Sequence, residues 1–162
     1  MSTSDWQRRV DELWTSFDEQ DEEAFLTRMD ELAGELPTDS AEAAFERASA
    51  LDSTGHEQEA VSLYRQALEL GLEGPRRRRA VIQLASSLRN VGAPEESVAL
   101  LRAERAAGSD ELDAAVTAFL ALALVDLGRE REAAALALSA LAPHLPRYQR
   151  SLASYAREIG RE

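Results

Sequence analysis

Three glycines set the frame for this chain. Gly55, Gly92 and Gly128 stand 37 and 36 residues apart, and their surroundings repeat with them. Seven residues before each stands a small residue, Ala48, Ala85 or Ala121. Four before stands a leucine, Leu51, Leu88 or Leu124, and five after a small residue again, Ala60, Ser97 or Ala133. Alanine is abundant, so alanine columns alone would prove little. The glycines decide the matter, because the chain has only 8 and three of them fall in register. A fainter unit lies in front: Ala24 precedes Ala60 by the same interval, with Glu19 where the glycine would stand.

Each column has a physical reason within a pair of antiparallel helices. The first small residue lets two helix backbones approach. The leucine one turn on fills the seam between them. Glycine ends the first helix, because that site usually takes a left-handed backbone. The second small residue packs where the helices cross. One hairpin cannot bury its apolar face alone, so neighbours must stack.

The segments between breakers read as helices. β-branched residues are few, and Ala, Leu, Glu and Arg dominate, all of which suit helices. Apolar residues recur three and four apart, as in Val81, Leu84, Ala85 and Leu88, or Tyr148, Leu152, Tyr155 and Ile159. Nine helices are expected, near 5–17, 21–34, 40–54, 57–70, 75–91, 94–106, 110–127, 130–142 and 146–159. Ser4 with Gln7, and Asp39 with Glu42, have the spacing of a capping box. Ser109 precedes Asp110 and Glu111, which suit the positive end of a helix dipole. Pro75 fits a first helical position.

These residues resemble the tetratricopeptide repeat. The second unit carries Ala48, Leu51, Gly55, Ala60, Tyr64, Ala67 and, beyond its end, Pro75. The third has Ala85, Leu88, Gly92, Ser97 and Leu101, with Glu104 where the family has alanine. The fourth has Ala121, Leu124, Gly128, Ala133 and Ala140, with Ala137 at the aromatic position. The family's early tryptophan has no counterpart in register. The period exceeds the family's usual length of about 34, which predicts longer loops. The chain also resembles the small stand-alone bacterial proteins grouped as tetratricopeptide repeat group 5. The resemblance implies an all-α fold, a right-handed α-solenoid of antiparallel helix pairs, with about four units in a single domain over 1–162. Its parts would be a degenerate N-terminal hairpin over 5–35, three repeats over 40–142 and a capping helix over 146–159.

End units of a stack should be atypical. The N-terminal hairpin is, with Trp6, Val10, Leu13, Trp14 and Phe17 on one helix and Phe25, Leu26, Met29 and Leu32 on the next. These stripes form either a core or an exposed aromatic patch that docks a partner. The last helix has one apolar face and an arginine-rich back.

In the family, the first helix of each unit lines a concave face that takes extended peptides or helices of other proteins. The resemblance therefore implies a lining of Phe45 and Ser49; then Arg79, Ile82, Gln83, Ser86, Arg89 and Asn90; then Phe119, Leu122 and Asp126. Phe45, Ile82 and Phe119 are each 37 apart, so they would form one apolar row. The competing reading covers that row with the N-terminal helices or with a second copy, as a homodimer.

Charge adds a preference for an acidic partner. Residues 1–74 carry a net −14 and residues 75–105 a net +4. Arg76, Arg77, Arg78 and Arg79 crowd the first turn of a helix, the wrong end for cations. Arg79 and Arg89 are the pair placed to receive carboxylates through forked hydrogen bonds. The alternative leaves the run solvated or paired with Glu69 and Glu73.

Other functions are disfavoured. The net charge of −12, with every cation an arginine, repels a polyanion, so no nucleic-acid partner is expected. Without cysteine there is neither a disulfide scaffold nor a thiolate metal site. The segment from Met1 to Arg9 has no apolar stretch behind it, so no secretory leader is expected. The most apolar run, Ala114 to Val125, is too short for a membrane span of about 20 residues, and reads as a buried helix. A cytoplasmic, non-enzymatic protein without cofactor, metal or membrane contact is the expectation. His56 and His144 both fall in turns, and the run Asp18, Glu19, Asp21, Glu22 and Glu23 lacks the ligand spacing of a calcium loop.

Overall fold

In the computed structural model, which describes residues 3–161, the regular structure is helical. The described residues form α1 (Thr3–Thr15), α2 (Glu22–Ala33), α3 (Ala41–Ser53), α4 (Glu57–Glu69) and α5 (Gly74–Asn90). They continue with α6 (Pro94–Ala107), α7 (Asp113–Asp126), α8 (Glu130–Leu141) and α9 (Gln149–Ile159). Single 3-10 turns follow α1, at Phe17–Glu19, and α8, at Ala142–His144. Every expected helix is present, with ends within three residues of the expectation. Backbone contacts divide the chain into two compact units, one up to Gln83 and one from Leu84. In the first, α1 packs on α2, α2 on α3 and α3 on α4; in the second, α6 packs on α7, α7 on α8 and α8 on α9.

The glycine column is one turn built three times. Gly55, Gly92 and Gly128 have φ of +80°, +84° and +68°. The residue after each glycine donates its amide back to the column leucine: His56 to the Leu51 carbonyl at 2.8 Å, Ala93 to Leu88 at 2.8 Å, and Arg129 to Leu124 at 2.9 Å. This bond closes a helix end through one left-handed residue. The leucine therefore has a second duty, in which its carbonyl anchors the turn. The small columns are buried at Ala48, Ala85 and Ala121, and at Ala60, Ser97 and Ala133. Ser97 uses its hydroxyl to join the two columns, donating to the Ala85 carbonyl at 2.7 Å.

Several local expectations are corrected. The turns inside the hairpins stay short; the extra length of the first interval goes into α5, a helix of 17 residues. Ser40, not Asp39, caps α3, its hydroxyl accepting the Ala43 amide at 3.2 Å. Ser4 lies inside α1 rather than before it, and its side chain falls outside the described residues. The acids after Ser109 precede α7 instead of starting it; the Asp110 amide donates to the Asp113 carboxylate at 3.1 Å. The faint first unit is out of register: Ala24 is exposed and its neighbour Phe25 is buried. A 3-10 turn with an extended Gln20 replaces the glycine turn there, and that different geometry turns another residue inward.

Both ends follow from the side chains they bury. Trp6, Val10, Leu13, Phe25, Met29 and Ala50 form one core cluster, with Trp14, Phe17, Leu26 and Leu32 packed against it. Phe25 meets Trp14 and Phe17 edge-on, with centroids 5.1 Å and 4.8 Å apart. The Trp6 indole donates to the Leu32 carbonyl at 2.8 Å. The aromatic hairpin is thus a core, not an exposed patch. At the other end α9 packs closely on α8. Ala156 is buried, and a Cβ on Gly160 would meet the Ala135 methyl at 3.3 Å. Of the expected stripe, Leu152 and Ile159 are half-buried. Tyr148 and Tyr155 stand out instead, 76% and 61% exposed.

Candidate functional site

The residues expected to line a groove lie on α3, α5 and α7, and the structure treats them unequally. Phe45 is fully buried, 0% exposed. Its ring packs on Tyr64 of the same hairpin, with centroids 6.2 Å apart, and the Arg79 guanidinium lies 5.4 Å from its centre. Ser49 is buried too, its hydroxyl 3.5 Å from that of Tyr64, which donates to the Asp52 carboxylate at 3.3 Å. Burial, with the Asp52 charge beside it, pushes the Tyr64 phenol far up, so it remains a donor. Ile82 is buried and Gln83 half-buried. Phe45, Ser49 and Ile82 therefore do not form the exposed lining expected of them, because dense packing uses these side chains as structure.

The arginine run is divided in the same way. Arg76 reaches the buried Glu46 of α3, Nε to Oε1 at 3.0 Å, and also donates to the side-chain Oε1 of Gln7 in α1. It lies 5.8 Å from the centre of the Trp6 ring. The Trp14 indole donates to the other Glu46 oxygen at 3.0 Å. The partner of Arg76 is thus Glu46, not Glu69 or Glu73, and a buried carboxylate offsets a cation at the unfavourable helix end. Arg78 is buried, while Arg77 and Arg79 are exposed. Of the expected pair, Arg79 keeps its charge at the surface over Phe45.

In the second unit, Arg89 is ion-paired with Asp126 and so joins the end of α5 to the end of α7. Ser86 is half-buried and Asn90 exposed on α5. Helix α7 is apolar nearly all round. Val116, Leu120, Ala121, Ala123 and Leu124 are buried, but Leu122 and Val125 remain 44% and 48% exposed, with Phe119 half-buried beside them. A helix apolar on every side is expected to be buried throughout; here one face is open. Val125 is the residue that groove spacing missed. The signal for it was present in the run Ala114 to Val125, whose apolar residues outnumber what one buried stripe requires.

Nothing in the described residues is arranged for chemistry on a metal. No group of three or more His, Asp or Glu among them is placed to hold an ion. His56 sits in the α3–α4 turn, its Nδ1 3.1 Å from the Thr54 hydroxyl, and His144 is exposed in a 3-10 turn. No described helix is long and apolar enough to cross a membrane.

The family model for the Tetratrico peptide repeat matches residues 41–159. The chain belongs to the tetratricopeptide repeat family. The matched repeats begin with the first residue of α3 and end with the last of α9, leaving the aromatic hairpin α1–α2 outside. No curated protein and no solved structure matches the chain. Tetratricopeptide repeats are generally protein–protein interaction modules and typically carry no catalysis of their own.

Proposed function

We propose that this chain is a non-enzymatic binding module of the cytoplasm that takes a peptide or helix of a partner protein on the first-helix face of its repeats. The observation that carries this reading is the open apolar face of α7, Phe119, Leu122 and Val125. Burying an exposed leucine or valine there contributes about 1–2 kcal/mol, enough to anchor a short segment. The rim is polar, as interaction rims are: Asn90 and Ser86 can hydrogen-bond, and Arg89 can exchange Asp126 for a partner carboxylate. In the first unit, taken by itself, Arg79 is exposed over the buried Phe45, which is a floor rather than a contact.

The test begins with peptides selected for binding to the full chain. Their affinities are then measured by fluorescence anisotropy against wild type and the Leu122→Glu, Val125→Glu pair. Affinity should fall at least tenfold, with the helical circular-dichroism signal unchanged because both positions are exposed. Arg89→Glu should weaken acidic peptides more than neutral ones. Equal binding to wild type and the α7 variant would refute the site. A wild-type dimer in light scattering that Leu122→Glu makes monomeric would put a second copy on the face instead.

A further inference from the structure

We infer that the outer face of α9 is a second docking surface, and that it takes an acidic polypeptide segment. It uses none of the α7 side chains and stands apart from the reading above. Carboxylates hold arginines elsewhere in the molecule, as Glu35 holds Arg9 and Glu132 holds Arg102. Arg147, Arg150, Arg157 and Arg161 differ: all are exposed, and their guanidinium groups meet no ion-pair or hydrogen-bond partner among the described residues. Between Leu145 and Arg161 the only acid is Glu158, in a chain of net charge −12. Counter-charge is plentiful in the chain and sparse here.

Geometry makes this more than a solvated back. Arg150 and Arg157 are seven residues apart, two helical turns, so they share a face about 10 Å from one another along the axis. Two guanidinium forks at that spacing fit carboxylates two turns apart on a helix, or a few residues apart on an extended segment. The two most exposed large rings flank this helix, Tyr155 on it and Tyr148 at its start. Tyr148 has φ of 68°, a left-handed backbone that side chains other than glycine's resist. The next residue fixes the turn: the Gln149 side chain donates to the Pro143 and Leu145 carbonyls at 3.2 Å and 2.8 Å. An aromatic ring is thus held in water beside unpaired cations, the combination that interfaces favour for anchoring. The charge of the whole chooses among anions. The chain's net charge of −12 repels a long polyanion, whereas a short acidic segment answers to charges within a Debye length of about 10 Å.

The experiment uses the full chain and a fluorescein-labelled peptide alternating glutamate and leucine, read by anisotropy at low salt. A glutamine-for-glutamate peptide and an oligothymidylate of similar length serve as comparison probes. The glutamate peptide should bind, the glutamine peptide at least tenfold more weakly. Arg150→Glu with Arg157→Glu should cost the glutamate peptide at least tenfold with helix content unchanged; Tyr155→Ser should weaken both peptides. Equal affinity of the glutamate peptide for wild type and the double-arginine variant overturns the proposal. So does tighter binding of the oligothymidylate than of the peptide, which would assign the face to nucleic acid. A sedimentation mass that rises with concentration in wild type, but not in the arginine variant, would assign it to a second copy and equally overturn it.

Discussion

Replacing Gly92 with alanine isolates the backbone requirement of the repeat turn. A Cβ built on Gly92 meets nothing within 4 Å, so no clash contributes. What remains is the φ of +84°. Holding a non-glycine L-residue there costs about 1–2 kcal/mol. Alanine also restricts the unfolded chain, returning roughly 0.4–1 kcal/mol, so a net loss of about 1 kcal/mol is expected. Gly108 supplies the internal control. Its surroundings are equally open, but its φ is 180° and ψ 177°, an extended backbone that alanine adopts freely. Gly108→Ala should be neutral or stabilise by roughly 0.5 kcal/mol. The two substitutions thus put the same methyl group into equally open space and differ in dihedral angle. Urea denaturation followed by far-ultraviolet circular dichroism measures both. Gly55→Ala and Gly128→Ala should behave like Gly92→Ala, since their turns carry the same bond to the column leucine. If Gly92→Ala and Gly108→Ala shift the midpoint alike, the glycine column is not a conformational requirement and the reasoning behind the repeat turn fails.

Two further outcomes follow from the first unit. Glu46→Ala removes the acceptor for both Arg76 and the Trp14 indole; a loss of about 2–3 kcal/mol is expected, less than for a wholly buried pair because Arg76 is partly exposed. Tryptophan fluorescence should shift with it, and Glu46→Gln, which keeps one acceptor, should cost less; an unchanged midpoint for Glu46→Ala would contradict the clamp. Acid should weaken the α1–α2 hairpin in a defined direction. The Arg9 guanidinium forks onto Glu35, one arm at 2.8 Å, and holds its carboxyl below the ordinary 4.5. A lowered folded-state value stabilises above the unfolded one, so the contribution is complete above pH 4.5 and disappears as pH falls through the lower folded value. Denaturation midpoints from pH 6 to pH 3 should therefore fall more steeply for wild type than for Glu35→Gln, and parallel curves would refute the assignment.

The helical hairpins were legible because their signals are local. A left-handed glycine, a leucine one turn earlier and a small residue one turn later act within about ten residues, and the turns at Gly55, Gly92 and Gly128 form as that spacing implies. The faint first unit misled for the same reason: Ala24 matches by interval, but its hairpin closes through Phe17–Glu19 rather than through a glycine. The proposed binding face was legible only in part. Leu122 was placed on an open face by the repeat register and is open. Phe45 and Ile82, in register with the half-buried Phe119, are buried.

The order of helices, the place of each turn and the membership of the repeat family were thus determined by the sequence itself, since a backbone turn answers to its own few residues. Which arginine pairs with which carboxylate, and which apolar residue stays in water, only the tertiary structure decided. Arg76 finds Glu46 across 30 residues, and Trp14 finds the same carboxylate across 32. Exposure is a property of what packs over a side chain, and neighbours so distant in the chain leave no trace in local spacing.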